Sequence, residues 1–143
     1  MKVKIKRFDK SLPMPKFHTK GAVGFDVCAR TDVEIPAGTA GKIPLNVAIE
    51  PPKNCWAILA ARSSTYKFGL MPVNGIGIFD SDYCGDGDEY LFLVYNFTKE
   101  PVRIKKGERV AQIIIMKRQN FQITEAKKLK GKDRGGLGTT GKN

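Results

Sequence analysis

The chain has 143 residues, 41% of them hydrophobic and 27% charged, with a formal net charge of +11. That is enough for one compact domain with its own core, and no apolar run approaches the roughly 20 residues a membrane helix needs. The three cysteines, Cys28, Cys55 and Cys84, form no CxxC pair, and His18 is the only histidine, which argues against a Cys/His metal site and a Ser-His-Asp triad.

The opening Met1-Lys2-Val3-Lys4-Ile5-Lys6 alternates charge and apolar residues. It reads as a strand rather than a signal peptide, and with reduced thiols it suggests a cytoplasmic protein. Strand patterns recur at 32–35 (ending at Pro36-Ala37-Gly38), 42–49, 55–60, 90–97, 102–104 and 111–116. They are short, rich in β-branched and aromatic residues, and punctuated by Gly, Pro and Asn. One turn at 64–68 is the best helix candidate. The pattern predicts an all-β sandwich, jelly roll or small barrel. From Lys127 apolar residues nearly vanish, and Gly131, Gly135, Gly136, Gly138 and Gly141 crowd the end. Residues 1–126 therefore read as the folded domain and 127–143 as a flexible arm, either frayed or ordering over a ligand.

The basic charge calls for an anionic partner: nucleic acid, a membrane surface or a phosphorylated small molecule. Four segments carry candidate chemistry. Gly75-Ile76-Gly77-Ile78-Phe79-Asp80-Ser81-Asp82-Tyr83-Cys84-Gly85 would set a carboxylate beside an aromatic ring at a hairpin tip, which suits a nucleoside, or is an ordinary hairpin with a polar tip. Ala61-Arg62-Ser63-Ser64-Thr65 offers a cation, hydroxyls and backbone N–H groups after a strand, as a phosphate cradle or a helix cap. Gly107-Glu108-Arg109-Val110-Ala111-Gln112 brings a glutamine onto a strand. Arg134-Gly135-Gly136-Leu137-Gly138-Thr139-Thr140-Gly141 is Gly-rich, as loops around phosphates are, but lacks P-loop spacing.

Together with Ala22-Val23-Gly24-Phe25-Asp26, these segments resemble, in order and spacing, the five motifs of trimeric dUTPases. The resemblance spans about 3–143. It implies a distorted jelly-roll β-barrel of the β-clip kind, hydrolysis of dUTP to dUMP and diphosphate with Mg²⁺, and a homotrimer whose three sites each draw on all three subunits. Asp80 matches the aspartate that activates the attacking water, and Tyr83 the ring beneath the deoxyribose. Asn74 and the backbone through Gly75, Gly77 and Phe79 match the uracil reader. Arg62, Ser63, Ser64 and Gln112 match phosphate contacts. Asp26 matches a mainly structural aspartate near a metal held by the triphosphate and waters, with no direct protein ligand. Lys132 or Arg134 matches the γ-phosphate cation, and Leu137, Gly138 and Thr139 the lid of the arm. Such an enzyme limits uracil in DNA and supplies dUMP for dTMP synthesis; it needs no nucleic acid or membrane.

The chain departs from the family at several points. Leu137 stands where a phenylalanine usually stacks on uracil, Ser64 where glycine is common, and Cys84 where arginine is common. The run Asp86-Gly87-Asp88-Glu89 lengthens the turn after Gly85 by about three residues, an acidic insertion expected to alter the pocket rim. A dCTP deaminase on the same fold would place a glutamate three residues before Asn96, where this chain has Leu93. A non-catalytic module binding protein or nucleic acid is the rival from another class.

Overall fold

Short strands account for nearly all regular structure in a computed structural model that describes residues 1–138, 140 and 141. In chain order they are β1 (Lys4–Arg7), β2 (Gly24–Cys28), β3 (Val33–Ile35), β4 (Ala40–Pro44), β5 (Val47–Glu50), β6 (Cys55–Ala61), β7 (Leu70–Pro72), β8 (Gly77–Phe79), β9 (Leu91–Asn96), β10 (Val102–Ile104) and β11 (Arg109–Lys117). A 3-10 turn covers Thr65–Phe68. All pairings are antiparallel. One sheet runs β2-β11-β6-β8, a second β4-β9-β7, and two ribbons pair β1 with β5 and β3 with β10. Neighbours in the sheets are distant in sequence, the wrapped connectivity of a jelly roll.

Period-two patterning drives the assembly. Along β6, Cys55, Ala57 and Leu59 face inward while Trp56 and Ile58 lie half exposed. Side chains such as Ile35, Ile43, Leu45, Ile49, Val94 and Ile113 meet in one core, each worth about 1.5–3 kcal/mol when fully buried.

The strand expected over 42–49 is two strands. Asn46 adopts φ 66° and is 2% exposed. Its backbone N–H donates to Glu89 Oε1 at 3.0 Å, its Oδ1 accepts from the Asp9 N–H, and its Nδ2 donates to the Asp9 carbonyl. Asparagine tolerates the left-handed region where Val or Ile does not, so the chain leaves β9 at Pro44 and joins β1 from Val47. The 3-10 turn ends at Gly69, φ 83°, where a Cβ would collide with the Thr98 methyl. From Arg118 onward the described residues are exposed and form no strand or helix. Among the described residues, no helix is long and apolar enough to cross a membrane.

Candidate functional site

The candidate residues fall into two groups on the sheet β2-β11-β6-β8. The first surrounds the end of β8. Asn74 and Gly75, φ 74°, form a tight turn in which the Ile76 N–H donates to the Asn74 carbonyl at 2.9 Å. Gly77 then pairs with Leu59 so closely that a Cβ would stand 3.1 Å from Leu59 Cβ and 3.1 Å from the Phe79 ring. A notch of about 180 Å³ lies here, lined by Asn74, Gly77, Phe79 and Leu93 among others.

Beyond Phe79 the strand opens into a turn, the Tyr83 N–H donating to the Asp80 carbonyl at 3.1 Å. The Asp80 carboxylate is exposed and has no hydrogen bond or ion pair among the described residues. It lines a cavity of about 410 Å³ with Lys42, Ile78, Phe79, Tyr83 and Glu89. Tyr83 leans on Phe79, and its hydroxyl donates to the Glu89 carbonyl at 3.4 Å. A free carboxylate beside a flat ring suits a sugar and an ordered water.

The acidic turn at 86–89 ends in Glu89, which both lines this cavity and ties the turn to the domain. Glu89 takes a bidentate pair from Arg30, Nε to Oε1 at 2.7 Å and Nη2 to Oε2 at 3.0 Å, as well as the Asn46 N–H. The pairing holds the Arg30 guanidinium above its usual protonation range. Position 93, where a deaminase would need its glutamate, is leucine on β9, and the nearby carboxylate of Glu89 is engaged in this network.

The second group lies where β2, β11 and β6 run level: Asp26 stands opposite Gln112, and Gln112 opposite Ala60. Asp26 Oδ2 accepts from Arg109 Nη1 at 3.0 Å and forms an ion pair with Arg62, whose Nε lies 3.0 Å away. Arg62 Nη1 also donates to the Arg109 carbonyl at 3.1 Å. Gln112 donates from Nε2 to the Ala61 carbonyl at 3.0 Å. Buried Thr65 takes the Arg62 N–H at 2.8 Å and donates to the Val110 carbonyl at 3.0 Å, locking the turn that presents exposed Ser63 and half-exposed Ser64. The result is a rigid cluster with one more cation than carboxylate, suited to phosphate oxygens.

By register, Asp80 sits four residues further along β6 than Gln112 and three strands from Asp26. Ordinary strand spacing then puts the two aspartates roughly 20 Å apart. One chain does not bring its nucleoside-like and phosphate-like surfaces together. In the arm, Lys132, Leu137 and Gly138 are exposed and line none of these cavities, Arg134 is exposed, and Thr139 lies outside the described residues.

Sequence reasoning missed four supporting residues. Arg109 and His18 join the Asp26 cluster, and Tyr90 and Arg30 support the Tyr83 side. Alternation could not have found Arg109, because Val110 and Ala111 are both buried and the strand is irregular between Arg109 and Ala111.

Comparison with known proteins follows the same lines. The family model described as dUTPase matches residues 10–141. The SPbeta prophage-derived deoxyuridine 5'-triphosphate nucleotidohydrolase of Bacillus subtilis is 37% identical over 143 residues, covering 99% of both chains. A deoxyuridine 5'-triphosphate nucleotidohydrolase of Desulfitobacterium hafniense is 39% identical over 149 residues, covering 99% of this chain and 97% of that one. Among solved structures, a dUTPase of Streptococcus mutans superposes with TM-score 0.75 at 25% identity, over 82% of this chain and 98% of that one. A Staphylococcus bacteriophage 80alpha dUTPase mutant with dUpNHpp shares the fold at TM-score 0.84 and 19% identity, over 98% of both chains.

Proposed function

The chain belongs to the dUTPase family, and on that premise we propose that it hydrolyses dUTP to dUMP and diphosphate with Asp80 activating the attacking water. The observation that carries this is the free Asp80 carboxylate beside Tyr83 in an open cavity. In this reading Asp80 orients a water in line with the α-phosphorus and takes its proton. The water oxygen bonds to phosphorus as the bridging P–O bond breaks, and diphosphate leaves. Tyr83 packs beneath the deoxyribose and leaves no room for a 2′-hydroxyl. Asn74 and the backbone at Gly75, Gly77 and Phe79 read the uracil edge.

Arg62, Ser63, Ser64 and Gln112 bind the triphosphate. The donor set fits a metal carried by the substrate: no three His, Cys, Asp or Glu converge among the described residues, and Asp26 Oδ2 is shared by two arginines. Mg²⁺ held by phosphate oxygens and waters would neutralise charge at the reacting phosphate.

The gap of roughly 20 Å between the two groups supports a site shared between copies, Asp80 and Tyr83 of one facing Arg62 and Gln112 of another, within the homotrimer that the family resemblance implies. Residues 127–143 act as an arm that closes over a site with Lys132 or Arg134 on the γ-phosphate and Leu137, Gly138 and Thr139 over the base. Removal of dUTP would limit uracil incorporation into DNA, and the product dUMP would feed dTMP synthesis in the cytoplasm.

Diphosphate release from dUTP, dCTP, dTTP and UTP, with and without Mg²⁺, for wild type and Asp80→Asn tests the reading. Mg²⁺-dependent turnover of dUTP alone, lost in Asp80→Asn, is the expected result. Full activity in Asp80→Asn would overturn the assignment of the base.

A further inference from the structure

His18 lies in the segment between β1 and β2, beside the phosphate-like cluster. Its Nε2 is 2.9 Å from Arg109 Nη1 and 3.8 Å from Asp26 Oδ2. A guanidinium only donates, so a hydrogen bond at this contact requires Nε2 to accept, which the neutral imidazole with its proton on Nδ1 can do. Arg109 Nη1 is thereby gripped from two sides, by the imidazole and by the carboxylate it shares with Arg62.

We propose that His18 is a positioning residue for triphosphate binding: the neutral imidazole holds Arg109 on Asp26, and protonation of the ring releases that hold. The proposal rests on reading the Asp26 cluster as the phosphate site.

The charged groups at the ring are Asp26 from β2 and Arg109 from β11; Lys16 of its own segment lines the same cavity, and Arg62 at the end of β6 lies behind Asp26. Cys28, in the same cavity, adds no charge, because burial pushes its thiol up. A proton on Nε2 sets donor against donor at Arg109. The ring then turns to Asp26 and competes for Oδ2, which already serves both arginines. Arg62 depends on that oxygen, and it also donates to the Arg109 carbonyl. One proton at an exposed ring therefore disturbs both guanidinium groups.

His18 is the only histidine in the chain, so a single set of ring ¹⁵N resonances reports its state. At alkaline pH these should show bare Nε2 and protonated Nδ1, a bias lost in Arg109→Gln. Protonation of the substrate's terminal phosphate acts on every variant alike, so the readout is KM for dUTP relative to His18→Gln, which keeps an acceptor at every pH. That ratio should rise about tenfold for wild type as pH falls from about 8 to 5, with kcat moving far less. His18→Ala should have a raised KM whose pH course matches that of His18→Gln.

A wild-type profile retained in His18→Ala, or a ratio that falls on acidification, would overturn the proposal; the latter would make the imidazolium a direct phosphate ligand. Calorimetric binding of inorganic diphosphate by the same variants repeats the test without turnover. Loss of the dUTP reading alone would leave the diphosphate affinities following the same pH pattern, whereas failure of the His18 role would abolish that pattern while dUTP is still hydrolysed.

Discussion

Phe79 and Tyr90 lie ring on ring, 3.8 Å between centroids and 8° from parallel, and Tyr83 leans on both, at 5.6 and 6.0 Å. Tyr90 is 1% exposed, so the tyrosine assigned to the sugar stands on a buried aromatic base. Such pairs contribute about 0.5–1.5 kcal/mol beyond their buried area. Tyr90→Leu keeps an apolar side chain but removes the stack. The ratio of kcat/KM for UTP to that for dUTP should rise roughly three- to tenfold, because a looser Tyr83 yields to a 2′-hydroxyl. An unchanged ratio in a folded variant would show that Tyr83 needs no such seat.

Tyr90 also makes stability depend on alkaline pH. Burial holds its phenol well above the ordinary value of 10.0, with the Tyr83 and Cys84 charges adding to the shift. Above pH 10 the unfolded chain loses this proton while the folded chain keeps it, so the unfolded state binds fewer protons and stability falls as pH rises. The contribution is complete below 10 and declines above it by up to about 1.4 kcal/mol per pH unit. Urea denaturation at rising pH should show a steeper decline for wild type than for Tyr90→Phe. Equal slopes would mean the phenol ionises in the folded protein as freely as in water.

The Arg30–Glu89 pair ties the turn after Gly85 to the body of the domain. Charge-assisted, bidentate bonds of this kind are among the strongest side-chain contacts, and Glu89 is only 13% exposed at its side chain. Arg30→Ala leaves that carboxylate with the Asn46 N–H as its remaining partner. The loss should be about 1–3 kcal/mol in urea unfolding. Glu89→Gln with wild-type Arg30 should cost less, since the amide still accepts one bond. Wild-type stability in Arg30→Ala would show that the pair is as weak as an exposed ion pair.

Much of the scaffold was legible because short runs rich in β-branched and aromatic residues, bounded by Gly, Pro and Asn, are visible in the single chain. The expected strands at 55–60 and 111–116 correspond to β6 and β11. What alternation misses is where a strand changes partner. Ile43, Leu45, Val47 and Ile49 alternate without a break, and only the left-handed Asn46, held by Glu89 and Asp9, shows that β4 and β5 belong to different sheets. Those partners are 43 and 37 residues away, beyond any local reading. The motif residues stand together in short segments of the sequence, but their separation into two groups in the fold is a matter of register. Ala57 meets Phe79 while Ala60 meets Gln112, and no spacing in the sequence encodes both.

Gly24 offers a test of the phosphate side that leaves every charged group in place. It pairs with Ile114, and a Cβ there would stand 2.7 Å from Gln112 Oε1, 3.2 Å from Ile114 Cγ1 and 3.3 Å from the Ile113 carbonyl. The carboxamide is the far end of a flexible side chain and is the group that yields. Gly24→Ala should therefore push Gln112 off the Ala61 carbonyl and raise KM for dUTP several-fold. Stability should fall by about 1–3 kcal/mol, from the lost bond and the residual crowding at Ile113 and Ile114. The decisive comparison is a double-mutant cycle with Gln112→Ala. Once the carboxamide is gone, the added methyl has little left to displace, and its effect on KM should nearly vanish while part of the stability loss persists. Additive effects on KM would mean that Gly24 is required for the backbone path of β2 and that Gln112 reaches the phosphates, or fails to, independently of it.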